Sequence, residues 1–419
     1  MSLALRYRLI DLARGTRAIS LLNALRRSQY DSPQALAARD ANRLLAYFNE
    51  LRASVPLFRN AQHFNDLPVL DKRFINTHRE SLMSPHYKGK LVRKKTGGST
   101  GEPLVYYTGT DAQSYLWAGL FLSWEAAGYQ LGDKVAFLAG SSLFATGYKQ
   151  RIYYSLLKVT ILSAFDMSAT RMDSYAEKLQ RGQHRLLYGY ASAIHRMARH
   201  FLDQGRQPTT ALRGIVCTAE TLTPAMRADI EAAFGVPCFS QYGCNDAGVS
   251  AFECEERNGF HLLSERCHAE VLDGGRLVAT DVSNRAMFMP RYDTGDLVRM
   301  SGRHCPCGRG LPLIDEVIGR QNDVVVDPDG AAVHSEFFTH LFREDGRIHS
   351  FQVVFDAMEL RINLHSAPMQ ATEQDALVAP YAARIRQSLH FPQTVFVFNE
   401  PFLTQQNGKH RFVMRRPQV

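Results

Sequence analysis

From residue 104 onward, short apolar runs alternate with longer stretches of helical character, and this rhythm limits the folds open to the chain more than any other feature. "PLVYYT" reads as a strand, residues 111–127 as a helix and "KVAFLAG" (134–140) as a buried strand. Further strands are expected at "TILSAF" (160–165), "RLLYGY" (185–190) and "GIVCTA" (214–219). After the last, "TPAMRADIEAAFG" carries a threonine cap, a proline in the first turn, one apolar face and a terminal glycine, the marks of a helix. "VPCFSQYG" follows as another strand. Alternation of this kind specifies an α/β domain with a largely parallel sheet.

The flanks differ from this centre. Residues 1–95 read as mostly helical: Ser32 is an N-cap, Pro33 takes the first helical position, and Leu36, Leu44, Phe48 and Leu51 share a face until Pro56 ends the helix. Between 260 and 316 the pattern becomes short alternating strands ("HAEVLD", "GRLVATDV", "LVRM") and a turn-rich segment, "SGRHCPCGRGLP", expected to form a small antiparallel or barrel-like subdomain. The last hundred residues read as a small α+β domain, with "DVVVD", "SFQVVF", "ELRINLH" and "TVFVFNE" as strands. A linker near 318–323 divides a large domain, 1–319, from this smaller one, 320–419.

With 419 residues, 45% hydrophobic and 21% charged, the chain is long enough for two or three cores. It has no uninterrupted apolar run long enough for a spanning helix, and "MSLALRYRLIDLARG" reads as an amphipathic helix rather than a signal peptide. Seven cysteines, all within 217–307, are no disulfide framework and point to a reducing, cytoplasmic setting. The net charge of +8 is concentrated early, with ten arginines against four acidic residues in the first sixty. Such an arm suits a membrane surface, an acidic partner or a homodimer contact, and is equally an ordinary solvated helix face. No RNP, helix-turn-helix or zinc-finger spacing supports nucleic acid.

"KKTGGSTGEPLVYYTG" (94–109) has little side chain with which to do chemistry. It offers backbone N–H groups and hydroxyls, which suit phosphate, although a Gly/Ser/Thr turn is also a plain connector. It is not a nucleotide P-loop, because Glu102 stands where that motif needs lysine. Separately, Cys254, His261, Cys305 and Cys307 supply three thiolates and an imidazole, a donor set for a closed structural zinc site. Reduced cysteines in a turn are the bland alternative, and Cys267, His268 and His304 are the substitute ligands.

The loop is followed in order by "CTAETLTP", "SQYGCNDAG", "PRYDTGDLV", "IGRQND" and "TQQNGKHR". From about residue 40 to 415 the chain resembles the adenylate-forming superfamily of acyl-CoA synthetases, peptide-synthetase adenylation domains and luciferases. Within it, the chain is most similar to the phenylacetate-CoA ligase and CapK-like branch. That branch carries a Ser/Thr/Gly loop, a Y-G-x-T-E-like element, Y-R-T-G-D, C-x-C-G-R and a terminal G-K. The resemblance implies a large α/β adenylate-forming domain with parallel sheets and a small barrel-like subdomain, and a small mobile α+β lid.

It also implies roles. Thr96, Gly97, Gly98, Ser99, Thr100 and Gly101 would wrap the ATP phosphates, and Ala219 and Glu220 would lie beside adenine. Tyr242 would stack on that base, Gly243 would leave room for the acyl group, and Asp246 stands where the family has its Mg²⁺-binding glutamate. Asp296 and Arg320 would reach the ribose, Asn322 or Asp323 would mark the hinge, and Lys409 would join the reacting carboxylate and α-phosphate.

The implied activity is ATP-dependent formation of an acyl- or aryl-AMP with release of pyrophosphate, then transfer to coenzyme A. The substrate would be a small carboxylic acid, aromatic by family analogy. The alternative acceptor is an amine or hydroxyl, giving an amide or ester in polysaccharide or secondary-metabolite synthesis. A different class is an inactive nucleotide-binding scaffold. Four departures bear on these choices: Asp246 is one methylene shorter than glutamate; "VVVDPDGAAVHSE" replaces an isoleucine-rich strand and R-G turn; no proline precedes "NGK"; and "LAGSSLFATGYKQRIYYS" lacks the glycine-rich aromatic-acid pocket pattern.

Overall fold

The computed structural model describes residues 3–96, 104–139, 148–164, 167–320, 324–342, 345–403 and 411–416. Helices α1 (Leu3–Arg14), α2 (Ala18–Ser28), α3 (Pro33–Ser54) and α4 (Lys72–Thr77) come first, as the periodicity predicts. The Ser32 hydroxyl accepts from the Ala35 amide at 3.2 Å and so caps α3. Part of the arginine-rich arm is paired internally. Arg17 pairs with Asp111, Arg26 with Glu125 and Arg43 with Glu265, tying the first helices to the rest of the fold, and Arg39 pairs locally with Asp31.

Strands β1 (Val92–Lys95) and β2 (Val105–Thr108) form an antiparallel hairpin. Then come α5 (Thr110–Ala126), β3 (Val135–Ala139), α6 (Tyr148–Leu156), β4 (Val159–Ser163), α7 (Ala169–Gly182), β5 (Leu186–Tyr190), α8 (Ala191–Leu202), β6 (Gly214–Thr218), α9 (Pro224–Phe234) and β7 (Cys238–Cys244). β4, β3, β5, β6 and β7 lie side by side and parallel. All five residues of β3 are buried, as expected of a parallel strand covered on both faces.

Gly189 of β5 sits so close to β3 that a Cβ there would lie 2.1 Å from the Leu138 carbonyl oxygen. Gly189→Ala should therefore cost about 1–3 kcal/mol, the usual range for overpacking, and a thermal melt unchanged from wild type would contradict this.

Beyond β7 the same sheet continues antiparallel. Strands β8 (Val249–Phe252), β9 (Phe260–Leu262), β10 (Cys267–Leu272), β11 (Arg276–Asp281), β12 (Tyr292–Met300) and β13 (Leu313–Arg320) complete eleven strands in the order β10-β11-β12-β13-β9-β8-β7-β6-β5-β3-β4. The short strands of 260–316 thus extend the main sheet as its antiparallel wing.

The remaining elements are β14 (Val324–Val326), β15 (Ala332–His334), α10 (Ser335–Phe342), β16 (Ile348–Phe355), β17 (Glu359–Ser366), α11 (Ala371–Ser388), β18 (Gln393–Phe398) and β19 (Val413–Arg415). They build a four-stranded sheet, β18-β17-β16-β19, over a core that includes Val325, Phe338, Phe351, Ile362, Leu377 and Ile385. This core's buried members all come from 325–413.

β16 packs on α9 through one carboxylate. Asp229 accepts from His195 Nε2 at 2.8 Å and Arg199 at 3.4 Å, and His349 Nδ1 lies 3.8 Å away. Burial lowers the His349 pKa, Arg199 and His195 push the same way, and the charges of Asp229 and Asp203 oppose them without prevailing. The packed state therefore holds His349 neutral. Its contribution is complete above the free histidine pKa of about 6.5 and is lost as pH falls through and below it. Amide exchange in β16 should rise relative to β5 between neutral pH and about pH 5.5, after correction for intrinsic rates. An unchanged ratio would contradict this.

Candidate functional site

Ligands of open α/β sheets gather at the carboxyl ends of the strands. Here the sheet also changes from parallel to antiparallel at β7. Thr218 of β6 pairs with Gln241 of β7, so Ala219 and Glu220 leave the sheet beside Tyr242. Ala219 has φ 66°, a left-handed conformation that costs a residue with a Cβ about 1–3 kcal/mol and persists only where the surroundings impose it. Glu220 accepts from the Ser192 amide at 2.8 Å in the first turn of α8, so that carboxylate braces the fold.

The next two motifs are tied to each other. Tyr242 donates to Asp296 at 2.7 Å, and Tyr292 donates to Asp246 at 3.1 Å. Each motif thus gives a phenol to the other's carboxylate. The Cys244 thiol also donates to Asp246, at 2.9 Å. A Cβ on Gly243 would meet only the Val249 carbonyl, at 3.7 Å, so there is open room above β7. Asp296 is buried, and the register of β12 with β13 sets it directly opposite Arg320.

Thr96 closes the neck of the glycine loop. Its amide donates to the Leu104 carbonyl at 2.9 Å, and its hydroxyl accepts from the Leu104 amide at 3.0 Å. Gly97, Gly98, Ser99, Thr100 and Gly101 lie outside the described residues, as do Asn322, Asp323 and Lys409. The neck packs with this site: Leu104 and Tyr106 share one apolar cluster with Cys244 and Tyr292, and the Tyr106 pKa is raised well above the usual phenol range, first by burial and then by the charge of Asp246. One buried side chain bonds both Leu403 and Arg411, the described residues on either side of 404–410. Gln352 Nε2 donates to the carbonyls of Leu403 at 2.8 Å and Arg411 at 3.1 Å, and its oxygen accepts from the Leu403 amide.

A second cluster gathers between β8, β9 and the 305–307 turn. Sγ of Cys254 and Cys305 are 3.6 Å apart, Cys307 Sγ and His261 Nε2 are 3.4 Å apart, and all four ligand atoms lie within 4.8 Å of one another. A tetrahedral zinc with bonds of about 2.3 Å to sulfur and about 2.0 Å to nitrogen sets such edges at about 3.5–3.8 Å, so the donors fit. Burial, then the charge of Arg309, lowers the His261 pKa to about 4, which keeps the imidazole neutral and able to ligate. Burial raises the Cys307 thiol, but the backbone and side-chain donors of Arg309 outweigh it and favour the thiolate. Arg309 is itself held by Gln29 and Glu255. Cys267, His268 and His304 do not join the cluster.

No family model matches the chain. Protein CapK of Staphylococcus aureus is 28% identical over 280 residues, covering 62% of this chain and 60% of CapK. A phenylacetate-coenzyme A ligase of Thermus thermophilus is 27% identical over 286 residues, covering 64% and 63%. The matched stretches thus span less than two thirds of the length of either relative. The solved 2-hydroxyisobutyryl-CoA ligase, in its postadenylation state with R3-HIB-AMP, overlays with a TM-score of 0.70 at 16% identity, over 91% of this chain and 90% of that one. The chain has the adenylate-forming fold, and in sequence it is similar to proteins of the phenylacetate-CoA ligase and CapK branch.

The described candidates Thr96, Ala219, Glu220, Tyr242, Gly243, Asp246 and Asp296 gather around the β6 and β7 ends and the hairpin neck. Tyr292 and Cys244, which hold Asp246, were not among the candidates drawn from the sequence. The signal for Tyr292 was available: "YGCND" and "YDTGD" share the spacing Y-x-x-x-D. No spacing marks Cys244.

Proposed function

We propose that the protein activates a carboxylic acid with ATP, forming an acyl- or aryl-adenylate and pyrophosphate, and then passes the acyl group to coenzyme A. The observation that carries this reading is the pair of cross-braced carboxylates, Asp246 and Asp296, beside the neck of the glycine loop. One would take a cation and the other sugar hydroxyls, which is what ATP asks of a site. Asp296, with Arg320 opposite, would accept from the ribose. Tyr242 would offer its ring to the base while its hydroxyl keeps Asp296 in place, and the loop beyond Thr96 would wrap the phosphates. Lys409 would bring positive charge to the point where the carboxylate oxygen meets the α-phosphorus, offsetting the repulsion of two anions. Asp246 would hold Mg²⁺, which supplies charge neutralisation at the phosphates.

Cys254, His261, Cys305 and Cys307 would hold a structural zinc, with no position left open for chemistry. The seven cysteines are all free, in keeping with a cytoplasmic setting. Among the described residues no helix is long and apolar enough to cross a membrane.

A second reading shares the first step and changes the acceptor to an amine or hydroxyl. What favours it is the short hairpin of β14 and β15, which occupies the sequence position where coenzyme A ligases of the branch are expected to carry the isoleucine-rich strand and R-G turn. Mass spectrometry of products formed from a panel of acids, with coenzyme A set against a panel of amines and alcohols, separates the two. A thioester supports the first reading; an amide or ester with no thioester replaces it with the second.

A further inference from the structure

We propose that Cys244 and Tyr292 are positioning residues that hold the Asp246 carboxylate in the orientation needed to take a divalent cation together with ATP. This rests on the nucleotide-binding reading above, and it assigns a task to two side chains that reading leaves unused. Cys244 Sγ donates to Asp246 Oδ1 at 2.9 Å, and Tyr292 Oη donates to Oδ2 at 3.1 Å. A carboxylate oxygen has two lone pairs, so one donor on each fixes the plane of the group and leaves acceptor capacity on both oxygens.

Both donors are locked by packing. Tyr292 is fully buried and Cys244 nearly so, within the same apolar cluster as Leu70, Val249 and Leu277. Asp246, by contrast, is half-buried, so without these two bonds its side chain would be free to turn. An aspartate reaches one methylene less far than a glutamate, and a short side chain cannot find a cation by flexing. Its orientation must be set in advance. Outer hydrogen bonds of this kind typically change metal affinity about 10- to 100-fold when removed.

A merely structural role predicts something different. If Cys244 only fills space, removing the thiol costs stability and leaves cation binding alone. The experiment is calorimetric titration of the full chain with ATP, once with excess Mg²⁺ and once with EDTA, for wild type, Cys244→Ala, Cys244→Ser and Tyr292→Phe. Wild type is expected to bind ATP more tightly with Mg²⁺. In Cys244→Ala and Tyr292→Phe the affinity in EDTA should stay near wild type while the tightening by Mg²⁺ falls about 10-fold or more. Cys244→Ser, which keeps a donor, should retain most of it. Equal tightening in wild type, Cys244→Ala and Tyr292→Phe overturns the proposal and leaves the nucleotide reading standing. A serine variant as impaired as the alanine one overturns the role of the thiol as donor. A wild type that takes up no ATP overturns both.

Discussion

Replacing Lys409 with alanine is expected to slow acid-dependent release of AMP and pyrophosphate about 100- to 1,000-fold, the loss typical when one preorganised charge is taken from a developing anion. ATP affinity should change far less, because in the proposed site the loop, Asp246 and Asp296 would still hold the nucleotide. The proposed reaction brings a carboxylate against a phosphate, and the lysine would act where the two meet. Among the described residues, Gln352 bonds both Leu403 and Arg411, and β19 lies in register on β16. Lys409→Arg should not restore the rate, since a planar fork does not replace a compact ammonium at a single oxygen pair. A Lys409→Ala enzyme with near-normal turnover would remove this residue from the mechanism.

The largest expected effect on stability lies at the four-ligand cluster. Metal analysis of protein purified without chelators should find about one zinc per chain, bound by three thiolates and an imidazole. Cys305→Ser should lose that metal and with it several kcal/mol, lowering the melting temperature by roughly 10 °C if each kcal/mol is worth about 2–4 °C. The reason is local. His261 is fully buried with Nε2 turned to Cys307, and Cys254 lies buried beside Cys305. Without a metal these groups are polar atoms shut away with little to satisfy them. Zinc-free protein with an unchanged melt would mean that the cluster is held by packing alone.

Much of the fold was legible from local pattern. Each βα unit from β2 to β7 has its own apolar run and turn residues, and α3, ahead of them, and α9, among them, have their own caps, so short-range rules suffice. Thr223 accepts from the Met226 amide, and Gly235 ends α9 at φ 67°, as "TPAMRADIEAAFG" predicts. The antiparallel wing was harder. β9 and β13 pair across more than fifty residues of chain, Leu313 with His261, and no local signal carries such a register. The same distance hid the Tyr292–Asp246 bond. Charge counts by segment miss acids elsewhere: Glu125 and Glu265 partner Arg26 and Arg43 of the basic arm from far along the chain. The zinc-type donors were readable by residue type, although their spacing alone does not say which four converge.

The central claim is that this site joins a carboxylic acid to AMP. Exchange of labelled pyrophosphate into ATP, measured across a broad panel of carboxylic acids with Mg²⁺ present, tests it most directly. Exchange that appears with one class of acid and vanishes without acid is the predicted result. A folded protein that binds ATP yet exchanges no label with any acid above the acid-free rate would contradict it.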